Sequence, residues 1–560
     1  MKTTSKFFNV FVCCCITATL ITLAACNDYL DELPDNRTEL NSEDKIEKLL
    51  VSAYFTNDPL FVCEFMSDNV DDYGDNNPNT NRFVDQVYAW QDVTEANNES
   101  PENFWANCYD RISVANTALE AIEEMGGATT TRLQHLRAEA LLCRAYAHFM
   151  LANMYCQAYR STDASEQLGI VYMDHTPTDL DENPDRPSLA YVYERIDKDI
   201  QEALPIVGSD YAVPKYHFNE RAAYAFAARF YLYYEKWDKV ITYANQCLGS
   251  APKAMLRDWA YTATLIQAWD AISQHYIDAS LNCNLMMLTS YSYMGLVFGP
   301  YRYLSKYSHG KYLAEHEDGE APNIWGDDPF YSDMHTYSAT NLDKTIFWKL
   351  PYLFEYVDAR AGTGYYRTVY PAFTTDECLL NRAEAYVLTG QYDRAAADLT
   401  LWMQNIINTT LVLTPDDIQE FYNDVAYSYE DEAGIESTIK KHLHPSFDIG
   451  EEGGRVETML QCVLGFRRIE TLQAGMRWYD IKRYGIEIVR RVMGADGKPL
   501  RRTDVLTKDD LRRAVQIPLR IRHNSDHGGV TPNPRDTSEP RIDGKDLSGE
   551  SFNPITTPKL

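Results

Sequence analysis

Two stretches decide the fold: Ala227-Ala228-Arg229-Phe230-Tyr231-Leu232-Tyr233-Tyr234-Glu235-Lys236-Trp237-Asp238-Lys239-Val240 and Arg382-Ala383-Glu384-Ala385-Tyr386-Val387-Leu388-Thr389-Gly390-Gln391-Tyr392-Asp393-Arg394-Ala395. They align position for position. A small residue (Ala228, Ala383) is followed three positions on by a tyrosine (Tyr231, Tyr386) and nine on by an aromatic (Trp237, Tyr392). Next comes an aspartate, then an apolar residue that opens a second helix. A small side chain lets two antiparallel helices approach, the aromatic fills the turn between them, and Asp238 or Asp393 can cap the second helix.

The pair resembles the tetratricopeptide helix hairpin. Other segments carry the same helical period. Trp105, Tyr109, Ile112, Ala115, Leu119 and Ile122 recur at three and four, and Gly126-Gly127 stops the run. Residues 131–159 hold no Gly or Pro and are apolar on most sides, which predicts a long buried helix. Ser188 to Leu204 predicts another, stopped by Pro205. The expected fold class is mostly α: tetratricopeptide-like helical hairpins at about 101–250 and 374–410, carrying a loop-rich ligand-binding subdomain. That subdomain falls at about 60–100 and 281–373, where Tyr, Gly, Pro, Asn and Asp crowd together with weak periodicity. Long structured loops on a rigid scaffold are where binding usually resides.

The N-terminus reads as an address. Lys2 and Lys6 precede an apolar run from Val10 to Leu23, and Leu23-Ala24-Ala25-Cys26 closes it. This is a secretory signal layout, too short for a spanning helix. The cysteine after the small pair resembles a bacterial lipoprotein box, in which that cysteine becomes the first mature residue and carries acyl chains. Residues 1–25 are therefore set apart as a signal peptide. Residues 26–45 form a polar lipid-anchored tether, and 46–560 are expected to be a single body.

The chain has 560 residues with 82 acidic against 52 basic side chains, a net charge of −30. Such a chain is repelled by nucleic acid and by anionic lipid. The eight cysteines outside the signal and Cys26 are scattered and form no CxxC pair, so buried free thiols are expected rather than a zinc site.

Four places, in order along the chain, carry a resemblance to the SusD/RagB family of nutrient-uptake lipoproteins of the Bacteroidetes. They are Asp28-Tyr29-Leu30-Asp31 with Pro34; Phe104-Trp105 to Tyr109 with Arg111-Ile112 and Ala115-Asn116; Arg467-Arg468-Ile469-Glu470 with Gly475-Met476-Arg477-Trp478-Tyr479-Asp480-Ile481-Lys482-Arg483-Tyr484-Gly485; and Ile517-Pro518-Leu519. Two positions depart from the family pattern: Ala474 stands where an acidic residue is usual, and Thr531-Pro532-Asn533-Pro534 replaces the usual ending. The resemblance implies an outer-membrane, cell-surface lipoprotein without catalysis. It implies capture of an oligosaccharide, or in some members a peptide, and a partner: a TonB-dependent barrel of the SusC kind.

A sugar site needs exposed aromatic platforms flanked by directional polar groups. Two segments supply that mixture: Asp72, Tyr73, Arg82, Tyr88, Trp90, Gln91, Asn97 and Asn98, then Tyr291, Tyr293, Tyr301, Arg302 and Trp325. The resemblance places ligand contacts in these two regions, with Trp90, Tyr291 and Trp325 foremost. Asp68, Asp71, Asp72 and Asp75 crowd one loop; their oxygens could hold calcium, but the loop lacks the EF-hand pattern and reads better as a solvated acidic loop. Arg477, Trp478, Asp480 and Arg483 read as a packing network rather than a ligand site. No HExxH, GxSxG or P-loop is present. An acidic helical glycosidase and a pure interaction scaffold stay open as alternatives.

Overall fold

The computed structural model of the protein describes residues 40–74, 77–176, 185–332, 335–337, 344–523 and 529–535. The signal peptide, Cys26, most of the tether and Asp75 lie outside the described residues.

The helical body grows from strong local signals. Ser100 accepts from the Asn103 amide and Pro101 occupies the first turn, so Pro101–Glu124 starts where the chain must turn in. Thr130 caps Thr131–Tyr155 in the same way. Every side chain from Ala138 to Tyr155 is buried, as an all-round apolar helix demands. This helix ends four residues earlier than the sequence suggests. Its last carbonyls are taken by tertiary donors: Lys482 Nζ reaches Asn153 O and Cys156 O (2.6 Å to the latter), and Asn533 Nδ2 reaches Tyr155 O at 2.7 Å. Asn533 is thus the docking point of the tail. Leu189–Ala203 follows, capped by Ser188 and closed by a 3₁₀ turn containing Pro205.

Both aligned segments form helix hairpins: Glu220–Tyr233 with Trp237–Leu248, and Thr375–Leu388 with Tyr392–Ile406. Ala228 and Ala383 are fully buried at the helix contacts. The turns match in detail. Lys236 N–H donates to Tyr231 O at 2.9 Å and Gln391 N–H to Tyr386 O at 2.8 Å. The residue before each donor is left-handed, Glu235 at φ 58° and Gly390 at φ 73°. This is the Schellman stop. Asp238 and Asp393 do not cap: each lies inside the first turn, with no side-chain cap bond at that end. There they act on the helix dipole instead. The hairpins stack because Thr375–Leu388 packs on Trp237–Leu248 and, further along, on Arg455–Glu470.

The 249–374 excursion between the hairpins builds a three-stranded antiparallel sheet. Thr363–Thr374 lies in the middle, between Asn284–Tyr291 and Leu353–Asp358. Its last residue, Thr374, caps the Thr375–Leu388 helix by accepting from Glu377 N–H at 3.1 Å. The sheet is therefore bolted to the helical stack without a loop.

The C-terminal family stretch is buried and ionic. Glu384 receives Arg467 (2.6 Å), Arg483 (2.6 Å) and the Tyr484 hydroxyl (2.6 Å), and Asp480 takes a two-pronged bond from Arg467. These residues fasten helix to helix, as their packing reading predicts. Asn116, from the Trp105 helix motif, does similar work: its side chain holds Met173 O and His175 O and accepts from Arg144. The eight described cysteines are buried free thiols.

Candidate ligand-binding face

The sheet register sets two faces, with Phe354, Tyr356 and Tyr366 on one side and Tyr291, Glu355, Tyr365 and Arg367 on the other. Tyr291 stands opposite Arg367, Phe354 opposite Tyr366, Glu355 opposite Tyr365 and Tyr356 opposite Gly364. Gly364 has no room for a side chain, because an added Cβ would fall 2.0 Å from Glu355 O. The rings form a connected belt. Tyr293 meets Tyr366 at 4.7 Å between centroids, Tyr366 meets Phe354 at 5.2 Å and Tyr352 at 5.6 Å, and Tyr352 meets Tyr301 at 4.9 Å. Phe354 continues to Tyr356 at 4.9 Å; on the opposite side of the sheet, Tyr291 meets Tyr365 edge-on at 5.4 Å. Tyr356 is 60% exposed, Tyr365 45% and Tyr301 42%. Large aromatic rings left open in this number mark an interaction surface.

Directional groups border the rings. Arg367 lies over the Tyr291 ring at 4.3 Å, donates to its hydroxyl at 3.0 Å and pairs with Glu355. Tyr301 donates to Asp270 at 3.1 Å, and burial together with that bond pushes its hydroxyl up to about 12. Burial also raises Tyr293. These hydroxyls stay neutral near pH 7, each able to donate and accept.

Of the expected residues, Tyr293 and Tyr301 fall in one ring cluster, and Tyr291 lies on the other side of the sheet with Tyr365 and Arg367. The other expected residues do not join them. Trp90 is buried: its Nε1 donates to Met66 O at 2.8 Å and Arg490 lies 4.3 Å from its ring. It also occupies the left-handed stop after Arg82–Tyr88, at φ 52°, so it is a core residue and not an open platform. Trp325 is likewise interior, against Phe466 and Phe330. Both tryptophans satisfy the core's demand for large apolar area before any ligand could use them. Tyr73 is half-buried with its N–H on Lys306 O, and Arg82 is exposed beside Glu95. Asn97 and Asn98 build the turn into Pro101–Glu124: Asn97 Oδ1 accepts from Glu99 N–H at 2.9 Å, and Asn98 O accepts from Asn57.

The acidic loop is not a solvated one, and its donors do not suit calcium. Asp68 and Asp71 are buried, their carboxylates held by Arg477 and Arg491. Asp72 accepts from Gly74 N–H at 2.7 Å. Guanidinium groups occupy the oxygens that a cation would need.

Sequence reasoning missed Tyr352, Phe354, Tyr356, Tyr365, Tyr366 and Arg367. The available signal was a hairpin: alternating Phe354 and Tyr356, a turn at Gly362 (φ 66°), then Tyr365-Tyr366. Behind the face, Asp58 and Glu99 form a buried acidic couple. Burial pushes Asp58 up to about 6, and it pushes Glu99, with Asp58 adding to it, well above the carboxylate range. Asp58 accepts from Leu60 N–H and Glu99 from Tyr293 N–H, so both brace backbone from the inside rather than facing the open side. A cavity of about 50 Å³ lined by Tyr146, Arg229, Tyr370, Glu377 and Tyr479 has room for a few waters and not for a sugar.

Residues 28–232 match the model of a SusD-like family described as starch-binding and associating with the outer membrane. No curated protein matches the chain. Among solved structures, a SusD superfamily protein from Bacteroides thetaiotaomicron aligns with a TM-score of 0.60 at 16% identity, over 88% of this chain and 100% of its own. A protein from Bacteroides vulgatus named as a sugar-binding candidate aligns at 0.59 and 19%, over 89% and 99%. A SusD-like carbohydrate-binding protein from the same species aligns at 0.56 and 15%, over 88% and 98%. The family match thus covers the N-terminal helices, residues 28–232, and the alignments show that the chain shares the fold of SusD superfamily structures along most of its length.

Proposed function

We propose that the tyrosine belt captures an oligosaccharide at the cell surface, and that the chain, held at the outer membrane by acyl groups on Cys26, delivers it to a TonB-dependent barrel of the SusC kind. One observation carries the sugar reading: a connected row of rings, exposed at Tyr301 and Tyr356 and bordered by tyrosine hydroxyls and the Asp270 carboxylate. Sugar C–H faces pack on such rings while their hydroxyls need directed partners. The family description and the sugar-binding neighbours point the same way. No helix among the described residues is long and apolar enough to cross a membrane, which fits a lipid anchor.

Capture without hydrolysis fits the placement of the carboxylates. Around the sheet, Glu355 is paired with Arg367 and Asp270 with a tyrosine hydroxyl. A glycosidase needs two carboxyls across an open scissile bond. Affinity electrophoresis against a glycan panel tests the reading, with Tyr356→Ala and Tyr301→Ala as face variants. Loss of retardation in both supports it, and unchanged retardation by every bound glycan moves the site elsewhere.

A second reading is a peptide cargo. Leu353–Asp358 is the outer strand of its sheet, and an extended peptide can add to such an edge. Competition between peptide and glycan for the same variants separates the two.

A further inference from the structure

One corner of the tyrosine face holds positive charge that no described carboxylate pairs with. Arg302 follows Tyr301 and is half-buried, and among the described residues no carboxylate pairs with its guanidinium. Directly beneath, Lys344 is 5% exposed and donates to three carbonyls of the same loop: Val297 O, Gly299 O at 2.8 Å and Arg302 O at 3.0 Å. Carbonyl dipoles satisfy its protons but supply no countercharge, and among the described residues Lys344 has no carboxylate partner either. Two basic side chains meeting at one loop with no carboxylate partner among the described residues are unexpected in a chain of net charge −30.

The nearby acids do not cancel them. Glu99, behind Tyr293, is kept protonated by burial and by Asp58. Glu355 is committed to Arg367. Asp270 lies beyond Tyr301 and accepts from its hydroxyl. Burial and the neighbouring Arg302 charge push Lys344 down to about 7, the response of an ammonium lacking an anion. The Arg302 charge also acts on the Tyr293 hydroxyl, and the Tyr293 ring meets Tyr366 in the belt. Arg302 directly follows Tyr301, whose ring meets Tyr352 at 4.9 Å, so the positive corner borders the stacking surface.

We infer that this corner is an anion subsite and that the cargo is a carboxylated, uronate-bearing oligosaccharide. A sugar stacked on the belt presents its exocyclic carboxylate to a guanidinium fork, which binds carboxylates through two parallel N–H bonds. Lys344 fixes the loop that aims the fork and adds its charge from below. This assignment rests on reading the belt as a sugar site.

The test titrates the full chain calorimetrically with three probes: a trimer of galacturonate, its methyl ester and neutral maltotriose. The acid is expected to bind about tenfold or more tighter than its ester, to weaken as salt is raised, and to lose that advantage in Arg302→Gln while Arg302→Lys keeps part of it. Among the described residues Arg302 has no ion-pair partner to lose, so the melting temperature of both variants should match the parent. Equal binding of acid and ester, or an acid preference that survives Arg302→Gln, overturns the subsite. If a neutral sugar binds and is lost in Tyr356→Ala while the acid has no advantage, the subsite falls and the sugar site stands. If none of the three binds, and the wider glycan panel also fails, both fall.

Discussion

Arg477 and Asp68 form a two-pronged ion pair across 409 residues of sequence, with Nε to Oδ1 at 2.8 Å and Nη2 to Oδ2 at 2.7 Å. Both side chains are nearly sealed from solvent. Removing one partner of a buried pair strands the other's charge, which typically costs about 3–5 kcal/mol. Arg477→Ala should therefore lower stability by roughly that amount in urea unfolding. A loss below about 1 kcal/mol would mean the pair is not a structural clamp.

Stability should peak in mildly acidic solution. Arg467 and Arg483 hold the Glu384 carboxyl down to about 2 against burial, and Glu317 is held well below its usual value by Lys441, Arg468 and Arg491. Depressed carboxyls contribute stability that is complete above their unfolded values and is lost as pH falls through the folded ones, so acid below about pH 4.5 destabilises the protein. For Glu384 alone this is on the order of 3 kcal/mol. Burial moves Asp58 and Glu470 the other way, to about 6 and about 7. Their contribution is complete below the unfolded carboxyl range and is lost as pH rises through 6 and 7. A melting-temperature profile should therefore reach its maximum near pH 5. A flat profile from pH 4 to 8 would contradict these assignments.

Trp90 and Tyr356 should separate stability from binding. Trp90→Ala removes a buried indole, its bond to Met66 O and its stack with Arg490, and should lose about 3–5 kcal/mol of stability. Tyr356→Ala removes a ring that is 60% exposed, and should leave the melting temperature within a degree or two while weakening glycan binding severalfold. The reverse pattern, measured by thermal shift and calorimetry, would return the site to Trp90.

The two hairpin turns make a matched pair. Gly390 at φ 73° has open space where a Cβ would go, so Gly390→Ala should cost about 1–2 kcal/mol through backbone strain alone. Glu235, at the equivalent left-handed position, accepts from the Ser161 amide and the Ser446 hydroxyl. Glu235→Gly should thus gain backbone ease and lose those bonds, for a net change near zero. Urea midpoints of the two variants check both statements.

The helical frame was legible because its signals are local. Ala228 with Trp237, and Ala383 with Tyr392, announce a tight antiparallel turn in a single window of sequence. The site was half legible for the opposite reason. Tyr291, Tyr293 and Tyr301 were found by composition, but their partners Tyr352, Phe354, Tyr356, Tyr365 and Tyr366 depend on the pairing of the 353–358 and 363–374 strands. Composition alone also cannot distinguish an indole that packs from one that binds. Trp90 is committed to Arg490, a residue 400 positions away. Asp68 and Asp71 looked solvated for the same reason: their arginines lie far along the chain.

The direct passage from the Thr363–Thr374 strand into the Thr375–Leu388 helix has a mechanical consequence. No hinge separates the tyrosine-bearing strand from the helix it runs into. Under the proposed function, tension on a polymer bound at the tyrosine belt would pass straight into the helical stack, and the protein should move with such a load as one rigid arm.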